Sequence, residues 1–156
     1  MSASPARLTQ PAFARAVPKA YAALLALNTE INALGLEPEI VELIRIRVSQ
    51  INGCAYCVQH HLKDARRLGV PDHKLDLLVA WQEAGLFSAR EQAALIWAEA
   101  LTDRPGPGAT DDVYWTVGAV FGETEIAALT MVIGTIGQLN RIAASMRFAV
   151  TVPATA

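Results

Sequence analysis

Apolar residues recur along this chain at three- and four-residue intervals, and prolines and glycines cut the pattern into helix-length pieces. No convincing run alternates polar with apolar residues, so the pattern predicts an all-α protein. After a frayed start, Pro18 can open a first long helix to about Leu34, with Gly35 as its stop. Pro38 opens the next, Glu39 to about Ile51, whose Ile40, Ile44, Val48 and Ile51 form an apolar stripe. Asn52-Gly53 breaks it, and a third helix runs from Cys54 to Leu68-Gly69, with Pro71 just beyond. A fourth is predicted from Pro71 or Asp72 to Glu83-Ala84, stopped by Gly85. Ser88 and Glu91 make a capping box for the fifth, which reaches Leu101 or Thr102.

Asp103-Arg-Pro-Gly-Pro-Gly108 is the clearest loop. Thr110 or Asp111 caps a sixth helix to Phe121, and the seventh starts after Gly122 and continues to about Phe148. Glu123 and Glu125 occupy its first turn, where the helix dipole favours them. Gly134 and Gly137 cost helix propensity and are expected to mark close approach of another helix or subunit. The expectation is one domain over 1–156, a bundle of about six to seven helices with a mobile tail at 150–156.

Composition narrows the function classes. Hydrophobic residues make up 53% and the mean hydropathy is +0.28, an apolar excess that suits a subunit interface. A net charge of −2, a pI near 5.9 and no basic run longer than Arg66-Arg67 argue against nucleic acid. Arg7, Arg15 and Lys19 before the apolar run Ala20 to Leu27 imitate a signal peptide, but Asn28-Thr29-Glu30 stands where a small-residue cleavage site belongs. The longest uncharged apolar window, Ile126 to Gly137, is too short to cross a bilayer. A cytoplasmic protein without membrane association is therefore expected. The aromatic set Trp81, Trp97, Tyr114, Trp115 and Phe121 reads as core before it reads as a pocket.

The chemistry concentrates in Cys54-Ala-Tyr-Cys57-Val-Gln-His60-His61, which holds both cysteines and two of the three histidines. Packing gives no reason for that concentration. At about 100° per residue, Cys57 lies roughly 60° and His61 roughly 20° to the same side of Cys54, so all three share one helix face. Cys57 and His61 form an i, i+4 pair, while His60 points further round and reads as a helix-surface residue. Cys54 at the helix start would gain thiolate stabilisation from the free N–H groups. Two thiols so placed can also close reversibly into a disulfide.

A structural zinc needs four N/S ligands, which two cysteines, two nearby histidines and the remote, exposed His73 supply poorly; no metal or bound cofactor is expected. Glu42 lies off the apolar stripe, which favours an exposed glutamate paired with Arg45 at i+3. Ile46 and Ser49 share its side, however, and a partly buried carboxylate there could orient His61 or carry its proton.

Glu42, Cys54, Cys57 and His61, with Ile44-Arg-Ile-Arg-Val-Ser-Gln-Ile-Asn-Gly-Cys before the second cysteine and Leu62 to Gly69 after it, resemble the core signature of the alkylhydroperoxidase D family. That family belongs to the carboxymuconolactone decarboxylase-like superfamily. A weaker echo of the superfamily lies at Gln138 to Arg141. The resemblance implies an all-α fold assembling as a trimer or hexamer and a dithiol peroxidase acting on hydrogen peroxide or alkyl hydroperoxides. It implies that Glu42 and His61 are the proton relay, Cys57 the attacking thiol and Cys54 the resolving one, with an external thiol or dithiol as reductant. Well-known members carry histidine between the cysteines where this chain has Tyr56, a poor base near neutral pH, which implies a lower efficiency or a different substrate. Rival expectations are a decarboxylase or lactone-processing enzyme of the same superfamily, in which the dithiol would be incidental, and a non-enzymatic thiol redox sensor.

Overall fold

Prolines set the start of three consecutive helices: Pro11 in the first turn of α1 (Gln10–Ala16), Pro18 at the head of α2 (Pro18–Asn32) and Pro38 at the head of α3 (Pro38–Ile51). Proline suits that position because its missing N–H would have no intrahelical partner there. The structure is a computed structural model, and it describes residues 5–102 and 108–151. The chain continues through α4 (Ala55–Arg67), α5 (Asp72–Asp76), a 3₁₀ turn (Leu78–Ala80), α6 (Trp81–Ala84), α7 (Ala89–Thr102), α8 (Asp111–Gly118) and α9 (Glu123–Met146). No strand occurs among the described residues, and the all-α expectation holds. The predicted loop from Asp103 falls outside them up to residue 107, as does the tail beyond 151.

Helix α3 is the axis of the fold, packed against α4, α7 and α9. Its Ile40, Ile44 and Val48 enter a core with Trp97 and Ala98 of α7 and Leu129, Val132 and Ile136 of α9. Leu43 and Ile46 enter a second core with Ala65, Leu78, Trp81 and Leu95. Serving two cores leaves one further stripe on α3, which carries Glu42, Arg45 and Ser49, and all three are buried. Ile51, expected to complete the apolar stripe, is only half-buried.

Three sequence expectations need correction. The frayed start contains α1, capped by the Thr9 hydroxyl and anchored by Phe13, whose ring meets Tyr21 and Phe148 edge-on. The fourth helix is broken into α5, the 3₁₀ turn and α6, because its buried residues Leu75, Leu78 and Trp81 recur every third position. A three-residue repeat keeps one face inward on a 3₁₀ path and drifts off it on an α-helical one. The helix half of the Gly134 and Gly137 expectation fails: among the described residues a Cβ would meet nothing within 4 Å at the first and only the side chain of Arg141 at the second, which leaves the subunit half untouched.

Ser88 and Glu91 form the predicted capping box, with Ser88 N–H donating to Glu91 Oε2 at 2.7 Å. Helix α9 as a whole is long and apolar enough to cross a membrane by length and composition, with a window hydropathy of 1.3. Counting only its uncharged run understated that. Within the fold 56% of the window is buried, against α3, α7 and α2, as in a core helix.

Candidate functional site

Gly53, at φ +65°, makes the left-handed turn that ends α3 and redirects the chain into α4. The turn is pinned by Cys54 N–H donating to the Ser49 carbonyl at 2.9 Å. Cys54 then occupies the N-cap of α4 in extended conformation, and its sulfur accepts the Cys57 N–H at 3.4 Å. A sulfur takes the place an N-cap oxygen usually fills. Cys54 and Cys57 are joined as a disulfide, with Cα atoms 5.4 Å apart, and both are almost fully buried.

His61 lies one turn beyond Cys57 on α4, buried, and its Nδ1–H donates to Glu42 Oε2 at 2.7 Å. An ionised carboxylate can only accept, so the bond fixes the proton on Nδ1 and leaves Nε2 as the free ring nitrogen. The second oxygen, Oε1, accepts from Arg45 Nη1, also at 2.7 Å. Arg45 is itself clamped from α2, its Nη2 donating to Asn28 Oδ1 at 2.8 Å and Asn32 Oδ1 at 2.7 Å. The i+3 pair expected at the surface is therefore present and buried. Burial alone would push the Glu42 carboxyl up; the hydrogen bond and charge of His61 and the charge of Arg45 outweigh it and hold the carboxyl below its ordinary value.

The structure thus brings Glu42, Cys54, Cys57 and His61 together. His60 stays apart, more than half exposed, 3.4 Å from Asp64 and stacked parallel on Tyr56. Burial and the nearby His61 push the His60 imidazole down from its ordinary value, with Asp64 opposing them. His60, His61 and Asp64 are the described residues whose ligand atoms lie close enough together to hold a metal ion, all within 4.8 Å. One of them, His61, already gives Nδ1 to Glu42. His73 is exposed on α5.

Two cavities adjoin the dithiol. One, of about 250 Å³, is lined by Cys57, His61, Tyr56, Tyr21, Gln10 and Phe148. The other, a more open groove of about 620 Å³, is lined by Cys54 with Gln50, Val58, Gln59, Leu62 and Val150. The aromatic wall of the first escaped sequence reasoning. Tyr56 meets Phe148 edge-on at 5.4 Å, and Gln10 donates to the Tyr21 hydroxyl at 3.1 Å. The aromatic residues Tyr21, Tyr56 and Phe148 come from three remote segments, and only the aromatic character of each was visible in sequence. None of the five aromatic residues weighed earlier as a pocket lines this cavity: Trp81, Trp97 and Phe121 are buried in the cores, and Tyr114 and Trp115 are exposed elsewhere.

The echo at Gln138 to Arg141 gains a structural content. Asn140, buried on α9, donates to Ser49 Oγ at 2.9 Å and accepts from Asn52 Nδ2 at 3.0 Å, bracing the end of α3 just before the dithiol.

A Cys-x-x-Cys helix start, backed by a buried Glu–His pair in an all-α fold, defines an alkylhydroperoxidase D-like protein of the carboxymuconolactone decarboxylase-like superfamily. Residues 9–100 match the Carboxymuconolactone decarboxylase family, and the chain belongs to that family. It is 39% identical over 105 residues to the uncharacterized protein YdfG of Bacillus subtilis (strain 168), covering 67% of this chain and 71% of YdfG. A crystal structure from Agrobacterium tumefaciens, of a protein of unknown function for which an AhpD role in antioxidant defence has been suggested, superposes with TM-score 0.89 at 36% identity. That match covers 95% of this chain and 99% of the other. The apo debrominase Bmp8 shares the fold, with TM-score 0.78 at 24% identity over 86% of this chain and 72% of its own.

Proposed function

We propose that this protein is a dithiol peroxidase that reduces alkyl hydroperoxides or hydrogen peroxide. The observation that carries the reading is the 2.7 Å contact between His61 Nδ1 and Glu42 Oε2, buried behind a Cys-x-x-Cys pair whose second cysteine opens into a cavity. In the proposed cycle His61 takes the Cys57 proton at Nε2, and the thiolate attacks the distal peroxide oxygen. The O–O bond breaks, alkoxide or hydroxide leaves with a proton from His61, and Cys57 becomes a sulfenic acid. Cys54 attacks that sulfur, its thiol proton passes to the departing hydroxide as water, and the disulfide closes, to be reopened by an external thiol or dithiol.

Glu42 serves this cycle as a fixed anion. With Arg45 on its other oxygen it stays ionised and stabilises the imidazolium instead of taking the proton onward, as the carboxylate of a Ser-His-Asp triad does. The proposal includes one domain over 1–156, a homo-oligomer of three or six subunits and a cytoplasmic setting.

A steady-state assay with several peroxides and thiol donors tests the reading. Wild-type protein is expected to turn over, and the double change Cys54→Ala, Cys57→Ala to abolish turnover. Retention of the peroxide-reducing rate by that double variant overturns it, and rapid loss of both thiols without turnover favours a redox sensor instead.

A further inference from the structure

The two cysteines of the disulfide, both almost fully buried, line different spaces. Cys57 lines the aromatic cavity with His61, and Cys54 lines the groove of about 620 Å³ on the other side. Thiol–disulfide exchange proceeds by attack on a chosen sulfur, along the line of the bond and away from the leaving sulfur, so access decides which sulfur is attacked. A donor in the groove meets Cys54, and the sulfur that leaves is Cys57, beside His61.

A piece of main chain is already clamped at the groove's edge. Gln59 Nε2 donates to the Thr151 carbonyl and Gln59 Oε1 accepts the Thr151 N–H, both at 2.6 Å, and Val150 forms part of the groove wall. One side-chain amide satisfies both polar groups of a non-helical residue, as a neighbouring strand would. The tail segment expected to be mobile is tied here at its first residues. Val58 and Leu62 supply an apolar floor beside this clamp.

We infer that the Cys54 groove is the docking site for the reductant, a dithiol-bearing polypeptide whose main chain replaces Thr151 on Gln59, so that electrons enter at Cys54 and leave to peroxide at Cys57. The donor's first thiolate attacks Cys54 Sγ, forming a donor–Cys54 disulfide and releasing the Cys57 thiolate. The donor's second thiolate then attacks its own first sulfur and releases the Cys54 thiolate. The donor dithiol is oxidised to a disulfide, the protein disulfide is reduced to two thiols, and the donor's two protons go to Cys54 and, through His61, to Cys57. Val150 and Thr151 are a built-in competitor for the clamp.

The inference rests on the dithiol cycle proposed above, and its test separates the two. Oxidised full-length protein is mixed with a single-cysteine octapeptide, the freed thiol is trapped with iodoacetamide, and the adduct is mapped by mass spectrometry. The peptide is expected on Cys54 with the alkyl group on Cys57; the reverse labelling overturns the inference and leaves the peroxidase reading standing. Failure of the reduced protein to consume peroxide, with the adduct still on Cys54, removes only the peroxidase reading.

A rate comparison uses a Cys-Gly-Pro-Cys octapeptide against dithiothreitol. Thr151→Pro, which removes the competing N–H, is expected to speed reduction by the peptide about threefold, and Gln59→Leu to slow it about threefold, the worth of a main-chain hydrogen bond. In each variant the dithiothreitol rate should change less than the peptide rate, because dithiothreitol has no main chain to dock. Equal effects on both donors, or effects of the same sign from the two variants, overturn the docking assignment.

Discussion

Glu42 and His61, nineteen residues apart and on different helices, meet at 2.7 Å between Oε2 and Nδ1 in a buried contact. With His61 on one oxygen and Arg45 on the other, the carboxylate is held ionised, below its ordinary value. The Glu42→Gln variant can keep the side-chain shape but cannot stabilise an imidazolium by charge. General acid–base groups contribute about 10²- to 10⁴-fold, so kcat/KM for peroxide is expected to fall by about 100-fold. Stopped-flow oxidation should still reach the disulfide; unchanged kinetics would remove Glu42 from the mechanism.

Arg45 is predicted to matter through position and charge. Arg45→Met leaves a buried carboxylate with His61 alone and orphans Asn28 and Asn32, and breaking a buried pair costs about 3–5 kcal/mol. A loss near 3 kcal/mol in denaturant unfolding is expected, since one partner remains. Arg45→Lys should recover part of it, because a single ammonium cannot span the carboxylate and both asparagines at once. Removing Glu42 together with Arg45 should cost less than the sum of the two changes.

Much of the dithiol end was legible in sequence because its signals are local. The glycine stop, the Cys54 helix start and the i, i+4 spacing of Cys57 and His61 all act within about two turns. Glu42 was harder. Its place off the Ile40–Ile44–Val48 stripe suggests solvent, and only tertiary contacts, His61 on α4 and Arg45 clamped from α2, show why that face is covered. The aromatic wall from α2, α4 and the segment after α9 was not legible, since Tyr21, Tyr56 and Phe148 are joined by tertiary packing with no periodic trace. For α5 to α6 the three-residue spacing was present, and a longer helix was read over it.

Acid should unmask the Glu42 pairing. The carboxyl lies below its ordinary 4.5 when folded, so above that value it is ionised in both folded and unfolded chains and its stabilisation is complete. As pH falls through the folded value the unfolded chain binds the proton first, and this share of stability is lost. Unfolding free energies between about pH 5 and pH 3 should therefore fall less steeply in Glu42→Gln than in the wild type. Parallel slopes would contradict an ionised Glu42.

Asn140 braces the dithiol turn from behind, through Ser49 and Asn52. Asn140→Leu keeps the volume but leaves the buried Ser49 hydroxyl without its donor, at a cost of about 1–3 kcal/mol, while the exposed Asn52 can turn to water. Because Ser49 also accepts the Cys54 N–H through its carbonyl, the variant should raise the hydrogen-exchange rate of Cys54 as well as lower Tm. A Tm change with no change at Cys54 would confine Asn140 to the core.

Tyr56 tests the one departure from the family signature. Its ring stacks on His60, meets Phe148 edge-on and lines the Cys57 cavity, while its hydroxyl makes no hydrogen bond among the described residues. Tyr56→Phe keeps all three ring contacts, so peroxidase rates should stay within about twofold, as expected for a phenol that takes no part in proton transfer near neutral pH. Tyr56→His places a titratable group beside Cys57 and should raise the rate of thiol oxidation below pH 8, where added base assistance has most effect. A large loss in Tyr56→Phe would assign the hydroxyl a part in substrate binding; no gain in Tyr56→His would show that the Glu42–His61 pair already supplies the base the reaction uses.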